Sequence, residues 1–148
     1  MKVNNQMSFQ LMSLPENVAV ARVTVAALAA QLNFTLSELD EIKVAVSEAV
    51  SNAIIHGYDN NPKYSVQVVI KLYEHALEIV VEDKGKGIED IEQALQPAFS
   101  SDPERMGLGF VFMQSFMNDF RVKSEVGKGT QVIMVKKLEA ESDPSPES

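Results

Sequence analysis

The chain has 148 residues, of which 45% are hydrophobic and 23% charged, an ordinary composition for one globular domain with its own core. It contains no cysteine, which excludes disulfides and cysteine-ligated metals, and no apolar run long enough to span a membrane. The net charge of -8 does not favour general nucleic-acid binding. The N-terminal stretch MKVNNQMSFQ lacks the apolar core of a signal peptide, so we expect a cytoplasmic protein.

The first two predicted elements are a short strand and an apolar helix. Residues 7–13 predict the strand, and Pro15 suits the first turn of a helix that runs to about Leu32. The stretch VAVARVTVAALAAQL is apolar almost all round. This composition predicts burial on more than one side, in part against another subunit.

A second helix is predicted to begin near Ser37, which suits an N-cap with Asp40 three positions on. Gly57 is a natural C-terminal stop for it. At about 100° per residue, one face of this helix is apolar. That face contains Leu39, Ile42, Val46, Ala49, Val50 and Ala53.

The second half of the chain predicts two hairpins separated by helices. Strands are predicted at 64–73 and 77–83, a short helix through Ala94 and Leu95, a loop at 96–107, a helix at 107–120, and strands at 121–126 and 130–138. This order predicts an α+β fold: a two-layer α/β sandwich whose mainly antiparallel mixed sheet is covered by helices on one face. We expect residues 1–138 to form one domain and the acidic residues 139–148 to be a disordered tail.

Glu48 and Asn52 form an i, i+4 pair on the side of the second helix opposite its apolar face. A solvated surface explains such a pair on its own. Val44 and Ile55 flank the pair on the same side, however, so this face is also compatible with the wall of a cleft.

Three glycine motifs follow the second helix. Asp83-Lys-Gly85-Lys-Gly87 comes straight after a strand, where glycines permit a flat ligand to approach the backbone and a carboxylate can accept a hydrogen bond from an exocyclic amine. Met106-Gly107-Leu108-Gly109 joins a loop to a helix, whose N-terminus can hold phosphates. Gly127-Lys-Gly129-Thr130 is explained by a hairpin turn alone. Neither a Walker A loop nor a Rossmann fingerprint is present.

The order of these motifs is more specific than any one of them. The motifs occur in the order E-x-x-x-N on a helix, DxGxG after a strand, GxG between a loop and a helix, and GxGT. This order resembles the ATP-binding fold shared by gyrase, Hsp90, histidine kinases and MutL, over residues 8–138. The stretches ARVTVAALAAQL, DEIKVAVSEAVSNAIIHGY, IEQALQPAFSSDPE and MGLGFVFMQSFMNDF are more similar to the anti-sigma-factor serine kinases. Among these, the sporulation type (anti-sigma F) is most similar, and the stress-response type is a near alternative.

The resemblance implies a role for each motif. Asn52 corresponds to the Mg²⁺ ligand, Glu48 to the base that accepts the serine hydroxyl proton, and Asp83 to the acceptor of adenine's amine. The other implied contacts to ATP or ADP are Gly85 and Gly87 on the adenine floor, Thr130 beside the amine, Gly107, Leu108 and Gly109 around the phosphates, and Ser100, Ser101 and the catalytic Arg105 in the lid.

The resemblance also implies protein partners. These are an RNA polymerase sigma factor that the protein inhibits, an anti-anti-sigma protein that it phosphorylates on serine, and a second copy of the chain. Arg22 falls where that family has a sigma-contacting arginine, and His56 matches a family position or else caps its own helix. A nucleotide-sensing module without catalysis remains a second hypothesis, but sensing alone does not need a base at Glu48. Neither nucleic acid nor a membrane is an expected partner.

Overall fold

The computed structural model describes residues 2–96 and 106–139, which form a five-stranded sheet and a layer of helices. The elements, in chain order, are β1 (Asn5–Met12), α1 (Asn17–Ala29), α2 (Leu36–Asn52), a π-helical turn (Ala53–Gly57), β2 (Ser65–Leu72), β3 (Ala76–Asp83), α3 (Ile91–Ala94), α4 (Met106–Phe116), β4 (Asp119–Glu125) and β5 (Gly129–Lys137). None of the described helices is long and apolar enough to cross a membrane.

The strand order is β1-β2-β3-β5-β4, and each of the four pairings is antiparallel. The α+β prediction is confirmed, but the parallel pair that a mixed sheet requires is absent from the described strands. The predicted alternation in β2 and β3 is confirmed as well, because every second residue of both strands is buried. Asp83 ends β3 on the inner face of the sheet, directly opposite Thr130 of β5.

The core lies between this inner face and the helices. The apolar face predicted for α2 is confirmed, with Ile42, Val46 and Val50 fully buried. α1, in contrast, buries mainly Ala21, Val25 and Ala29 within the chain. Its Val20 and Val23 remain 48% and 63% exposed, so one monomer does not bury this helix on several sides.

The N-cap of α2 is Thr35, and the prediction of Ser37 was wrong. Thr35 Oγ1 accepts a hydrogen bond from the Glu38 amide at 3.0 Å, while Glu38 Oε1 accepts one from the Thr35 amide at 2.8 Å. This reciprocal capping box satisfies two backbone donors at once. Ser37 lies inside the first turn and therefore cannot serve as the cap.

The C-terminal end of α2 widens into the π-helical turn. The Tyr58 amide donates to the Ala53 carbonyl at 3.0 Å, which is the i→i+5 bond of a π-helix. The helix ends at Gly57 as predicted, but not because this glycine adopts a left-handed conformation. Asp59 and Asn60 take that conformation instead, with φ of 51° and 63°. Gly57 instead packs against the side chain of Asp83.

Candidate functional site

A cavity of about 480 Å³ opens between the C-terminal half of α2, the end of β3, the loop after it and the start of β5. It combines an apolar wall with a few polar groups, as small-molecule sites do. Its described lining consists of Ala49, Asn52, Ala53, His56, Gly57, Val81, Asp83, Lys86, Gly87, Ile88, Glu89, Phe110, Val126, Thr130 and Val132. Val44 and Ile55 are not part of this lining, so the prediction that they shape its walls was wrong. Ala49 of α2 and Ala53 of the π-helical turn line the cavity instead.

Asp83 is the buried carboxylate of the cavity, with 6% of its surface exposed. Its Oδ1 accepts a hydrogen bond from the Gly85 amide at 2.9 Å. Burial raises the pKa of Asp83 from 3.8 to about 6, and the backbone amides of Gly85 and Thr130 partly oppose this rise. A buried carboxylate in these surroundings is a strong acceptor that can serve a ligand in the cavity.

Two glycines permit the backbone to pack directly against this carboxylate. A Cβ on Gly57 would lie 2.7 Å from Asp83 Oδ1, and a Cβ on Gly85 would collide with the Gly57 carbonyl. The same carbonyl accepts a hydrogen bond from the Lys86 amide at 3.0 Å. Gly57 therefore joins the end of the helix segment to the DxGxG loop, a role that its position as a helix stop did not reveal.

Ser124 links the DxGxG loop to the last hairpin. Its Oγ accepts a hydrogen bond from the Ile88 amide at 2.7 Å and lies 3.0 Å from the Gly129 carbonyl and 2.8 Å from Thr130 Oγ1. The Thr130 side chain, which lines the cavity, is thereby held in place. Ser124 was not among the predicted site residues, because a serine in a predicted strand has no distinguishing pattern.

Close backbone contacts also fix the turn that contains Gly87 and the turn that contains Gly129. Gly87 and Gly129 have φ of 79° and 113°, which only glycine adopts readily. A Cβ on Gly87 would collide with the Glu125 carbonyl, and one on Gly129 with the Asp83 carbonyl. The predicted glycine positions are thus required by the approach of neighbouring backbones.

Glu48 and Asn52 meet the N-terminal part of α4. A Cβ on Gly109 would lie 2.8 Å from Glu48 Oε1 and 3.4 Å from Asn52 Nδ2, so a larger residue there would displace the Glu48 side chain. Asn52 Nδ2 is buried and has no hydrogen-bond partner among the described residues. Buried polar atoms are nearly always satisfied, so this amide beside the cavity is a candidate contact for a ligand. Nitrogen and oxygen of such an amide are interchangeable by a flip.

The other predicted residues lie in different places. Gly107 is buried against the Gln96 carbonyl, and Leu108 is 37% exposed. Ser100, Ser101 and Arg105 lie outside the described residues, as does most of the predicted acidic tail. Arg22 is remote from the cavity lining; its Nη1 donates to Ser47 Oγ on α2 at 3.0 Å.

Comparisons with known proteins agree with this geometry. The family described as Histidine kinase-like ATPase domain matches residues 11–136, and domains of this family bind nucleotide. The Anti-sigma F factor of Anoxybacillus flavithermus is 47% identical over 92% of this chain and 94% of its own length. The corresponding protein of Clostridium acetobutylicum is 48% identical over 92% of this chain and 96% of its length. A crystal structure of the RsbU and RsbW domains of a Mycobacterium tuberculosis protein has the same fold, with a TM-score of 0.66, 19% identity, and coverage of 91% of this chain and 32% of that one. The chain therefore belongs to the anti-sigma F factor family, within the proteins that carry a histidine kinase-like ATPase domain.

Proposed function

We propose that the protein is an ATP-dependent serine kinase that binds and inhibits a sigma factor of the sporulation type and phosphorylates the anti-anti-sigma protein that opposes it. The observation that carries this proposal is the division of one site into two ends. Asp83 lines one end of the cavity and Asn52 another part of it, while Glu48 and Gly109 lie next to Asn52 outside the described lining. A ligand with an amine at one end and phosphates at the other fits this division.

The base would bind at the Asp83 end. The carboxylate accepts a hydrogen bond from adenine's exocyclic amine, and Thr130, directly opposite Asp83 on β5, adds a hydroxyl. Val81 and Val132 offer apolar contact to the ring. Because the site presents acceptors, it favours adenine over a base that carries a carbonyl at the same position.

The phosphates would bind at the N-terminus of α4. This helix has 11 residues, and its first backbone amides carry the partial positive charge of the helix dipole. Gly109 keeps the approach to those amides free of a side chain. In the proposal Gly107, Leu108, Ser100, Ser101 and Arg105 complete the phosphate contacts.

Asn52 would hold Mg²⁺. No group of three acidic, histidine or cysteine side chains among the described residues could form a protein-only metal centre. Mg²⁺ does not require one, because it keeps several waters and is bound largely by phosphate oxygens. The unpartnered Asn52 amide can turn its Oδ1 to the ion. When bound, the ion neutralises charge on the phosphates.

Glu48 would act as the base. The Oγ of the substrate serine attacks the γ-phosphorus, the bond from that phosphorus to the oxygen of ADP breaks, and the serine proton passes to the Glu48 carboxylate. Glu48 is half-buried next to Gly109, at the phosphate end of the site. In the proposal, Arg105 stabilises the charge on the transferred phosphoryl group.

The partners follow from the family. Arg22 is the proposed contact to the sigma factor, and the exposed apolar side of α1 is a candidate surface for a homodimer. The proposal places the protein in the cytoplasm, where RNA polymerase acts. A general-stress sigma factor is the alternative partner.

The test is phosphate transfer from γ-labelled ATP and Mg²⁺ to a sporulation anti-anti-sigma protein. We expect label on a serine with the wild-type protein and none above background with Glu48→Gln, which should still bind ATP. Glu74→Gln, an exposed change of the same kind, is the control and should transfer normally. Absence of label with ATP bound would instead support a nucleotide-sensing module. Normal transfer by Glu48→Gln would reject the base assignment.

A further inference from the structure

Lys136 is a buried charge that the proposed mechanism does not use. It lies on the inner face of β5 with 8% of its surface exposed. Its Nζ lies 2.7 Å from Glu41 Oε1 on α2 and donates a hydrogen bond of 2.7 Å to the Phe116 carbonyl at the end of α4. One ammonium group thus joins a strand and two helices.

Stability alone does not explain this arrangement. Removing an ammonium group from water is costly, and replacing a buried ion pair with apolar side chains is often neutral or stabilising. Apolar residues at both positions 136 and 41 would avoid this cost, whereas Met at 136 alone would leave the Glu41 carboxylate without its ammonium partner. The contacts of Lys136 are therefore better explained by what they hold in place.

The geometry connects Lys136 to the phosphate end of the site. α2 and α4 pack directly against each other. Glu41 precedes Glu48 by seven residues on α2, and Gly109 precedes Phe116 by seven residues on α4. Seven residues span about 10.5 Å of helix, or nearly two turns. The two helices thus run in opposite directions, joined by Lys136 at one end and in contact through Gly109 and Glu48 at the other.

We propose that Lys136 is a positioning residue that fixes α4 against α2 and so sets the distance between the phosphate-binding helix end and Glu48. This inference rests on the proposed kinase function. Fixing both helices at one end restricts rotation of α4, which would move Gly109 relative to Glu48. The adenine end does not depend on this link, because Asp83 and Thr130 are held by strand pairing and by the Ser124 contacts.

The main test compares Lys136→Met with Lys137→Met. Lys137 is the adjacent residue but is 59% exposed, so the second variant makes the same chemical change without the buried contacts. ADP affinity, ATP affinity and the transfer rate at saturating ATP are measured for each. For Lys136→Met we expect ADP affinity within about twofold of wild type but a transfer rate lower by roughly tenfold to hundredfold, since a small misplacement costs this much. Lys137→Met should behave as wild type.

A merely structural role predicts a different pattern, in which all three quantities fall by the same factor. That result, or no change in any of them, would overturn the inference. Lys136→Arg, which keeps a charged donor, should recover part of the transfer rate. If Lys136→Met does not fold, Glu41→Gln provides the same comparison, because it weakens the pair and leaves the bond to Phe116 intact.

The kinase proposal and this inference can fail separately. If the wild-type protein transfers no phosphate, the kinase proposal fails, and the inference is judged from binding alone. Lys136→Met should then reduce the preference for ATP over ADP by at least about fivefold, because only ATP has a γ-phosphate near Gly109. An unchanged preference would reject the positioning role.

Discussion

We expect Asp83 to lower the free energy of unfolding of the nucleotide-free protein at neutral pH, and Asp83→Asn tests this expectation. The folded state raises the carboxyl pKa from 3.8 to about 6, mainly through burial. The folded protein therefore binds the proton more tightly than the unfolded chain, and the stabilisation from that proton is complete below pH 3.8 and lost as pH rises through about 6. The full difference in pKa, from 3.8 to about 6, corresponds to about 3 kcal/mol in the free energy of unfolding.

We expect Asp83→Asn to increase the free energy of unfolding by up to about 3 kcal/mol at pH 8 and by about half as much at pH 5, where the wild-type carboxyl is largely protonated when folded. Urea unfolding followed by circular dichroism, without nucleotide, measures both values. The same variant should bind ATP at least about tenfold more weakly, because it lacks the charged acceptor.

Asp40→Asn is the control for this experiment, because Asp40 is 75% exposed. It should change stability little at either pH. If Asp83→Asn were less stable than wild type at pH 8, or if its gain in stability were the same at both pH values, the inference that burial raises the pKa of Asp83 would be wrong.

Three further substitutions, two of them paired with a control variant, test other contacts. Gly57→Ala should weaken ADP binding by roughly tenfold in calorimetry, because its Cβ would lie 2.7 Å from Asp83 Oδ1, the proposed adenine acceptor. Gly127→Ala is its control, because a Cβ there meets nothing within 4 Å. It should lower the free energy of unfolding by about 1 kcal/mol through its positive φ and leave ADP binding unchanged. Gly109→Ala should keep ADP affinity and lose most phosphate transfer, because its Cβ would displace the Glu48 carboxylate. Thr35→Ala should cost about 1 kcal/mol in urea unfolding and Ser37→Ala less than about 0.5 kcal/mol.

Each of these has an outcome that would contradict it. Equal losses of ADP affinity in Gly57→Ala and Gly127→Ala would point to general destabilisation. Normal transfer by Gly109→Ala would separate this glycine from catalysis. A greater loss of stability in Ser37→Ala than in Thr35→Ala would reverse the assignment of the cap.

Local patterns in the sequence were sufficient for the strands, the helices and part of the cavity lining. The period of α2 predicted which side packs on the sheet, and the DxGxG and GxGT motifs predicted Asp83 and Thr130, which the structure places opposite each other. Those features depend on residues that are close together in the chain. The predicted kinase roles of Glu48 and Asn52 remain predictions, although the structure brings both side chains next to Gly109.

Features that depend on distant contacts were not predictable in this way. The sequence analysis predicted Ser37 as the cap of α2, and the reciprocal bonds between Thr35 and Glu38 identify Thr35 instead. Ser124 and Lys136 have no local signature, because their partners lie up to 95 residues away in the chain. The proximity of Gly57 to Asp83 arises from packing between a helix end and a strand end.

The π-helical turn has a consequence for redesign of this protein. It accommodates one more residue per turn than an α-helix would between Ala53 and Tyr58. Deleting one residue there would return the turn to α-helical hydrogen bonding and move the Gly57 carbonyl relative to α2. The carbonyl of Gly57 would then no longer face the Lys86 amide. A graft of this nucleotide site onto another scaffold should therefore transfer residues 48–57 as a single unit with their length unchanged.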